Sequence, residues 1–361
     1  MTAPEERFMA RALALAGRGL YTTTPNPRVG CVIVRGGDIL GEGFHERAGG
    51  PHAEVAALGD MRSRGHDPAG ATLYCTLEPC THTGRTPPCT DAIIAAGISR
   101  VVAAMADPNP QAAHGAQALR AAGIAVDVGL MEREALALNC GFVSRVTRGR
   151  PWVRMKVAAS LDGRTALASG ASQWITGPEA RADGHAFRAR ACAIVTGIGT
   201  VLADDPELTV RAVATPRQPL RVVVDRHGQT PTQAKVLRGG ALVVTADARS
   251  SAWSAEVEHL TLPDAGGRVD LDALLRELAR RGCNEVHVEA GARLNAALLE
   301  AGLVDEVLAY VAPALIGDPA RGVAQRRDAL ASLDARVRFA FDDVTRIGDD
   351  LRIRAQVTRS D

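Results

Sequence analysis

Three things are scarce in this chain of 361 residues, and each scarcity removes a class of protein. Charge imbalance is the first. The 42 Lys and Arg face 41 Asp and Glu, for a formal net charge of +1. No global field would gather a polyanion, so no nucleic-acid partner is expected, although a local phosphate-binding patch is compatible with overall balance. Long apolar runs are the second. Nothing reaches 18 uninterrupted apolar residues, and Met1-Thr-Ala-Pro-Glu-Glu-Arg7 lacks the basic start and apolar core of a secretory signal, so neither membrane spanning nor export is expected. A disulfide framework is the third. The 7 cysteines, at 31, 75, 80, 89, 140, 192 and 283, are odd in number and widely spaced, which suits a reducing compartment. The expectation is a soluble cytoplasmic protein.

What is present suits two α/β domains of ordinary size. Residues 5–19 have the spacing of a helix. Val29 to Val34 reads as a strand, Gly36-Gly37-Asp38 as a hairpin turn, and Ile39 to Phe44 as the returning strand. Pro51-His52-Ala53-Glu54 opens a helix with the proline in its first turn. A strand at 71–77, a helix at 91–96, a strand at 101–105 and a helix at 115–122 follow. The run Arg145-Val-Thr-Arg-Gly-Arg-Pro151 is polar and punctuated, so a linker is expected between about Asn139 and Pro151. Strands are then expected at 152–157, 192–196, 221–224, 241–245, 285–288 and 307–311, a loop at 317–322, and a closing antiparallel strand after Asp349-Asp350. Apolar helix faces leave homo-oligomerisation open.

The chemistry is concentrated in His52-Ala53-Glu54, Pro79-Cys80 and Cys89. One imidazole and two thiolates form a three-ligand zinc set that leaves a fourth tetrahedral position for water, and a glutamate two residues after the histidine can carry the proton that water loses. This is the H-x-E…P-C…C pattern of zinc-dependent nucleobase deaminases, although here the residues Thr81 to Pro88 lengthen the usual two-residue cysteine gap. The ligands are expected at helix starts, where the dipole favours thiolate over thiol. The alternative is a closed structural site with His82 as fourth ligand. Cys31 and Cys75 lie within strands and read as packing.

Thr24-Pro-Asn-Pro-Arg-Val-Gly30, Gly43-Phe-His45, Gly50-Pro-His-Ala-Glu54 and Thr76-Leu-Glu-Pro-Cys-Thr-His-Thr-Gly-Arg-Thr-Pro-Pro-Cys89 resemble the deaminase half of the bifunctional deaminase–reductases of riboflavin biosynthesis. The resemblance implies a cytidine-deaminase-like α/β/α fold over residues 1–147. It also implies zinc on His52, Cys80 and Cys89, with Glu54 as the catalytic proton carrier. The substrate would be a diaminopyrimidinone bearing a ribosylamino 5′-phosphate. Asn26 would contact the base, and His45, His82 and Arg85 would line the pocket or hold its loop. Arg85 could pair with the phosphate through its planar fork of donors. An Asx-type turn is the competing explanation for Asn26. Asp107-Pro-Asn-Pro-Gln111 also matches, but Ala112-Ala113-His114-Gly115 replaces the expected glycine-rich continuation.

In the second half, Met155-Lys156 through Arg164, Ser172-Gln-Trp174, Gly197-Ile-Gly199-Thr200, Asp204-Asp205-Pro206 with Leu208 to Arg211, and Val288-Glu289-Ala-Gly291 to Ala297 read as strands entering small, polar turns. No Rossmann fingerprint is present, because Gly197-x-Gly199 lacks the third glycine. Unaided, these segments indicate an α/β binding domain, and Glu289 could simply cap a helix. In order, they resemble the reductase half of the same family, which implies a dihydrofolate-reductase-like domain over residues 151–361 with NADPH as hydride donor. By matching motif, Ala158, Trp174, Thr200, Asp204, Gly291, Ala292, Arg293, Leu294, Asn295, Ala296 and Ala297 would contact NADPH. Ser172, Leu208, Arg211 and Glu289 would contact the pyrimidine ribose phosphate, with Lys156 and Asp162 organising the cleft. Ala292-Arg293 departs from the proline and small polar residue common after the Glu-Ala-Gly turn. Two other readings stay open: a zinc deaminase of another nucleoside or of a tRNA base, and a C-terminal half that binds a nucleotide without catalysis.

Overall fold

The computed structural model describes residues 3–82, 87–248, 253–317 and 319–358. The chain divides into two compact units, Met1–Gly149 and Arg150–Asp361. Among the described residues, no helix is long and apolar enough to cross a membrane.

The first unit runs α1 (Ala3–Gly17), β1 (Gly30–Arg35), β2 (Asp38–Phe44), α2 (Ala53–Ser63), β3 (Thr72–Cys75), α3 (Cys89–Ala95), β4 (Arg100–Ala103), α4 (Gly115–Ala121), β5 (Ala125–Val128), α5 (Glu132–Leu138) and α6 (Cys140–Arg148). Its sheet has the order β2-β1-β3-β4-β5. The strand β1 is antiparallel to β2 and β3, while β3, β4 and β5 are parallel. Every residue of β1 except Arg35 is buried, so this strand is covered on both faces. Glycine makes that possible. A Cβ on Gly43 would lie 2.4 Å from the Ala57 nitrogen, and one on Gly30 would lie 2.0 Å from the Ala12 carbonyl. The backbones of α2 and α1 therefore sit directly on the sheet, and the site-bearing start of α2 is fixed by that contact.

The expected linker is for the most part a helix. Asn139 pairs with Arg28 like a strand partner, its Oδ1 accepting from the Arg28 N–H at 2.8 Å and its Nδ2 donating to the Arg28 carbonyl at 2.9 Å. Phe142 and Ser144 are buried from α6, which ends at Gly149 with φ 67°. Most of the polar run that suggested a linker belongs to this closing helix, with Thr147 exposed and Arg145 and Arg148 half-buried, while Arg150 is buried just beyond it. The stop signal was real, but it lay at Gly149.

The second unit runs β6 (Trp152–Ser160), β7 (Arg164–Ala166), α7 (Pro178–Arg190), β8 (Ala193–Gly197), α8 (Ile198–Asp204), β9 (Leu220–Val224), β10 (Ala241–Thr245), β11 (Val257–Thr261), α9 (Leu271–Arg280), β12 (Glu285–Val288), α10 (Ala292–Glu300), β13 (Glu306–Ala312), β14 (Arg321–Gly322), β15 (Phe339–Ile347) and β16 (Asp350–Val357). The large sheet has the order β11-β10-β9-β8-β12-β6-β13-β16-β15. It is parallel from β11 to β13. The final hairpin is antiparallel, as the alternation after Asp350 predicts. Part of the expected 317–322 loop is ordered by pairing, Arg321 opposite Ala166 and Gly322 opposite Arg164.

A charged ladder crosses the middle of this sheet. Arg154 on β6 is fully buried and donates to Glu285 on β12 at 3.0 Å and to Glu306 on β13 at 2.9 Å. Arg190 and Arg354 complete the two carboxylates. Removing one member of such a buried network typically costs about 3–5 kcal/mol, because a charge is left without its partner.

Candidate active sites

In the first unit, three elements deliver three donors. His52 is the N-cap of α2, Cys89 is the first residue of α3, and Cys80 follows the β3 strand end. Pro51 therefore stands just before the helix rather than within its first turn. His52 Nδ1 lies 3.1 Å from Cys89 Sγ and 3.5 Å from Cys80 Sγ, and the donor atoms all lie within 4.8 Å of one another. Among the described residues, His82 is outside this cluster and exposed, which leaves a three-ligand, open set rather than a closed one. One nitrogen and two sulfurs fit a zinc-like ion. The two thiols are hydrogen-bonded to each other. The hydrogen bond from Cys89 draws Cys80 down to about 4, and the same bond together with burial pushes Cys89 up. The hydrogen bond with Cys80 raises His52. Glu54, only 4% exposed, lies against the cluster, and burial pushes its carboxyl up.

The Cys80 turn is braced from below. Glu78 accepts from the Asp107 N–H at 3.0 Å and from the Ala116 N–H at 2.8 Å, tying the loop after β4 and the start of α4 to the Pro79-Cys80 turn. A Cβ on Gly115 would lie 1.8 Å from the Pro79 carbonyl. In the altered Ala112-Ala113-His114-Gly115 stretch, the position that cannot tolerate a side chain is still glycine.

These groups line a cavity of about 400 Å³ whose wall also includes Asn26, His45, Asp107, Asn109, Phe142 and Arg145. Asn26 Nδ2 lies 3.0 Å from His45 Nε2, and His45 Nδ1 lies 2.9 Å from the Pro51 carbonyl. The carbonyl requires a proton on Nδ1, so Nε2 accepts from Asn26. Burial pushes the His45 pKa down and favours this neutral tautomer. Burial also pushes Asp107 up to about 6. Arg85 lies outside the described residues. Sequence reasoning passed over Phe142 and Arg145 because their segment was read as linker; their three-residue spacing on a helix face was the available signal.

In the second unit, Lys156 and Ala158 lie on β6, Thr200 follows β8 and Glu289 follows β12, on the side where a parallel sheet commonly binds ligands. Glu289 follows β12 and is held bidentately by Arg188 of α7, with one contact of 2.9 Å. Lys156 Nζ lies 4.0 Å from Glu289, and His287 Nε2 3.4 Å. Burial alone would raise Glu289, but Arg188, His287 and Lys156 hold it well below the usual carboxylate range. Burial lowers the Lys156 pKa. Ser172 Oγ donates to Asp204 at 3.1 Å, joining an expected substrate residue to an expected cofactor residue. Leu208 is buried with φ 52°. Arg211 is exposed and pairs with Glu207, while Trp174 is 69% exposed beneath the Arg181 guanidinium. Ala158 is half-buried on β6.

Gly197 and Gly291 are the N-caps of α8 and α10, and neither provides a side-chain cap for its helix. A Cβ on Gly291 would stand 3.7 Å from Thr200 Oγ1, and one on Gly199 would meet open space. Adjacent first turns with uncapped N–H groups fit the phosphates of a dinucleotide. Within 291–297 the residues divide. Gly291, Ala292 and Arg293 are accessible, as in part are Leu294 and Ala297, whereas Asn295 and Ala296 are 2% exposed and Asn295 donates to the Val323 carbonyl at 3.0 Å. Helical periodicity turns those two inward. The Asp162 carboxylate is occupied with Ser160 and the N–H groups of Ile316 and Gly317, so it holds a loop.

Residues 2–105 match the cytidine and deoxycytidylate deaminase zinc-binding region, and residues 151–353 match the RibD C-terminal domain. The riboflavin biosynthesis protein RibD of Escherichia coli is 48% identical over 96% of this chain and 98% of its own length. That of Haemophilus influenzae is 45% identical over 96% and 95%. Among solved structures, Acinetobacter baumannii RibD superposes with a TM-score of 0.90 at 43% identity, covering 99% of both chains. The diaminohydroxyphosphoribosylaminopyrimidine deaminase/5-amino-6-(5-phosphoribosylamino)uracil reductase of Thermotoga maritima gives 0.90 at 36%, covering 98% and 99%. With both of its units matched in order and over nearly their whole length, the chain belongs to the RibD family, the bifunctional deaminase–reductases of riboflavin biosynthesis.

Proposed function

We propose that this chain deaminates a diaminopyrimidinone carrying a ribosylamino 5′-phosphate at Glu54 and then reduces the sugar of the product with NADPH in the second unit. The observation that carries the reading is the open His52, Cys80 and Cys89 set with the buried Glu54 beside it at one end of the Asn26–His45 pocket. Zinc bound there supplies a Lewis acid that lets water lose a proton near neutral pH. Glu54 takes that proton, gives it to the ring nitrogen as water oxygen adds to the amine-bearing carbon, and carries the second proton to the departing ammonia. Asn26, fixed by His45, orients the base. The odd number and wide spacing of the cysteines and the balanced charge support a cytoplasmic enzyme of small molecules.

In the second unit NADPH supplies the hydride for C1′ of the ring-opened ribose, giving a ribitylamino chain. Thr200, Asp204, Trp174, Ala158 and the start of α10 hold the cofactor. Arg211, Ser172 and Leu208 hold the substrate, and Glu289, fixed by Arg188, orients it. Reduction of an imine carbon also requires a proton at nitrogen, and Lys156, whose charged form burial disfavours, is the group we assign to it. Product-resolved turnover tests the whole reading. Zinc-loaded protein should release ammonia without NADPH and form the ribityl product only with it. Ammonia release without any NADPH oxidation would reduce the second unit to a binding role. Zinc-loaded protein that releases no ammonia would show the substrate assignment to be wrong.

A further inference from the structure

We infer that Arg145 binds the 5′-phosphate of the deaminase substrate, an inference that rests on the functional reading above. The argument begins with the charges around the cavity. Glu54, Glu78 and Asp107 all line it, and Arg145 is the one Lys or Arg among its described lining residues. A substrate whose phosphate carries about two negative charges would meet an acidic wall without a cation placed at its rim.

The position of Arg145 suits that task. It projects from α6 one turn after Phe142, which is buried in the same wall. The guanidinium lies 5.9 Å from the Phe142 ring centroid, and its Nη2 donates to the Pro25 carbonyl at 3.0 Å. Pro25 precedes Asn26, the residue that orients the base. One side chain therefore braces the base-reading loop and presents a planar, permanently charged group to the same cavity, the geometry that recognises phosphate oxygens in pairs. The acids are differently committed: Glu78 accepts two backbone N–H groups and Asp107 accepts the N–H of Asn109.

A bracing role and a phosphate-binding role predict different kinetics. Ammonia release should be measured for wild type, Arg145→Lys and Arg145→Ala, each zinc-loaded, with the phosphorylated substrate and with its dephosphorylated counterpart. A charge-assisted hydrogen bond lost on Arg145→Ala should raise KM for the phosphorylated substrate about 10- to 100-fold. The dephosphorylated compound should lose only the smaller share that comes from the missing Pro25 brace, so the loss with the phosphorylated substrate should clearly exceed it; Arg145→Lys should fall between, and inorganic phosphate should inhibit wild type more strongly than Arg145→Ala. Equal losses with both substrates would assign Arg145 to bracing the Pro25 loop alone and overturn the inference. So would an unchanged KM, or a phosphate-specific loss seen in Arg85→Ala but not in Arg145→Ala. Those results presuppose an active wild type; a wild type that releases no ammonia would instead sink the functional reading.

Discussion

The two sites obey different tolerances. In the first unit, three donors converge within 4.8 Å, and the Cys80 turn is located by the paired N–H groups on Glu78 and the contact of Gly115 with Pro79. In the second, the expected residues come from β6, α8, α10 and the loops around them, and two of them, Trp174 and Arg211, stand well exposed. A metal-centred reaction needs atoms placed within a fraction of an ångström, so its ligands sit in buried, over-determined turns. A dinucleotide and a phosphorylated sugar need a long complementary surface, so their contacts are spread and individually modest. The first site should therefore fail all at once and the second by degrees.

Cys89→Ser is the sharpest break. It removes a donor from the first turn of α3, so zinc measured by mass spectrometry and ammonia release should both be lost, while NADPH oxidation on supplied deaminated intermediate should stay at the wild-type level. Loss of both activities would mean that the units do not work as separate sites. Glu54→Gln comes next. Zinc should be retained, and deamination should fall by on the order of 10²–10⁴-fold, the usual contribution of a general base. Loss of zinc in this variant would place Glu54 among the groups that hold the ion.

The same difference in tolerance decided what could be read from sequence. The His52, Cys80 and Cys89 cluster was legible because metal chemistry dictates both residue type and spacing. Their elements followed from apolar strands such as Val29 to Val34. Arg145 was hidden because a short helix of mixed polar and apolar residues resembles a linker unless its buried Phe142 is known. Glu78 was visible as a motif residue, but its work consists of backbone hydrogen bonds to segments 29 and 38 residues away, which no local pattern records. The exposed strand β15 was missed because its residues bury too little for alternation to show. In the second unit, roles came through family resemblance, since a strand entering a glycine turn fits many ligands.

A pH titration of stability probes the second unit away from its cleft. Burial alone would raise the Glu306 pKa, but Arg154 and Arg354 hold it at about 2. Its folded value lies below its unfolded one, so the stabilisation is complete above about pH 4.5 and is lost as pH falls towards 2. A shift of this size corresponds to about 3 kcal/mol. Urea unfolding between pH 6 and pH 3, followed by a probe of the second unit, should show the larger part of this loss in wild type and a flatter slope in Glu306→Gln, which starts from lower stability because Arg154 stays buried. An equally steep slope in the variant would move the acid sensitivity to another carboxylate.

Arg211→Ala should have the smallest effect on the fold and isolates one contact in the dispersed cleft. The side chain is 55% exposed, and its guanidinium pairs with the near neighbours Glu207 and Thr209. Such a surface pair contributes at most about 0.5–1 kcal/mol, so thermal stability should barely move. If Arg211 meets substrate phosphate, KM in the reductase step should rise by about tenfold, the size of one charge-assisted hydrogen bond, with kcat preserved. A fall in kcat at constant KM would mean that the contact forms only in the transition state. The second site would then share the tight tolerance of the first.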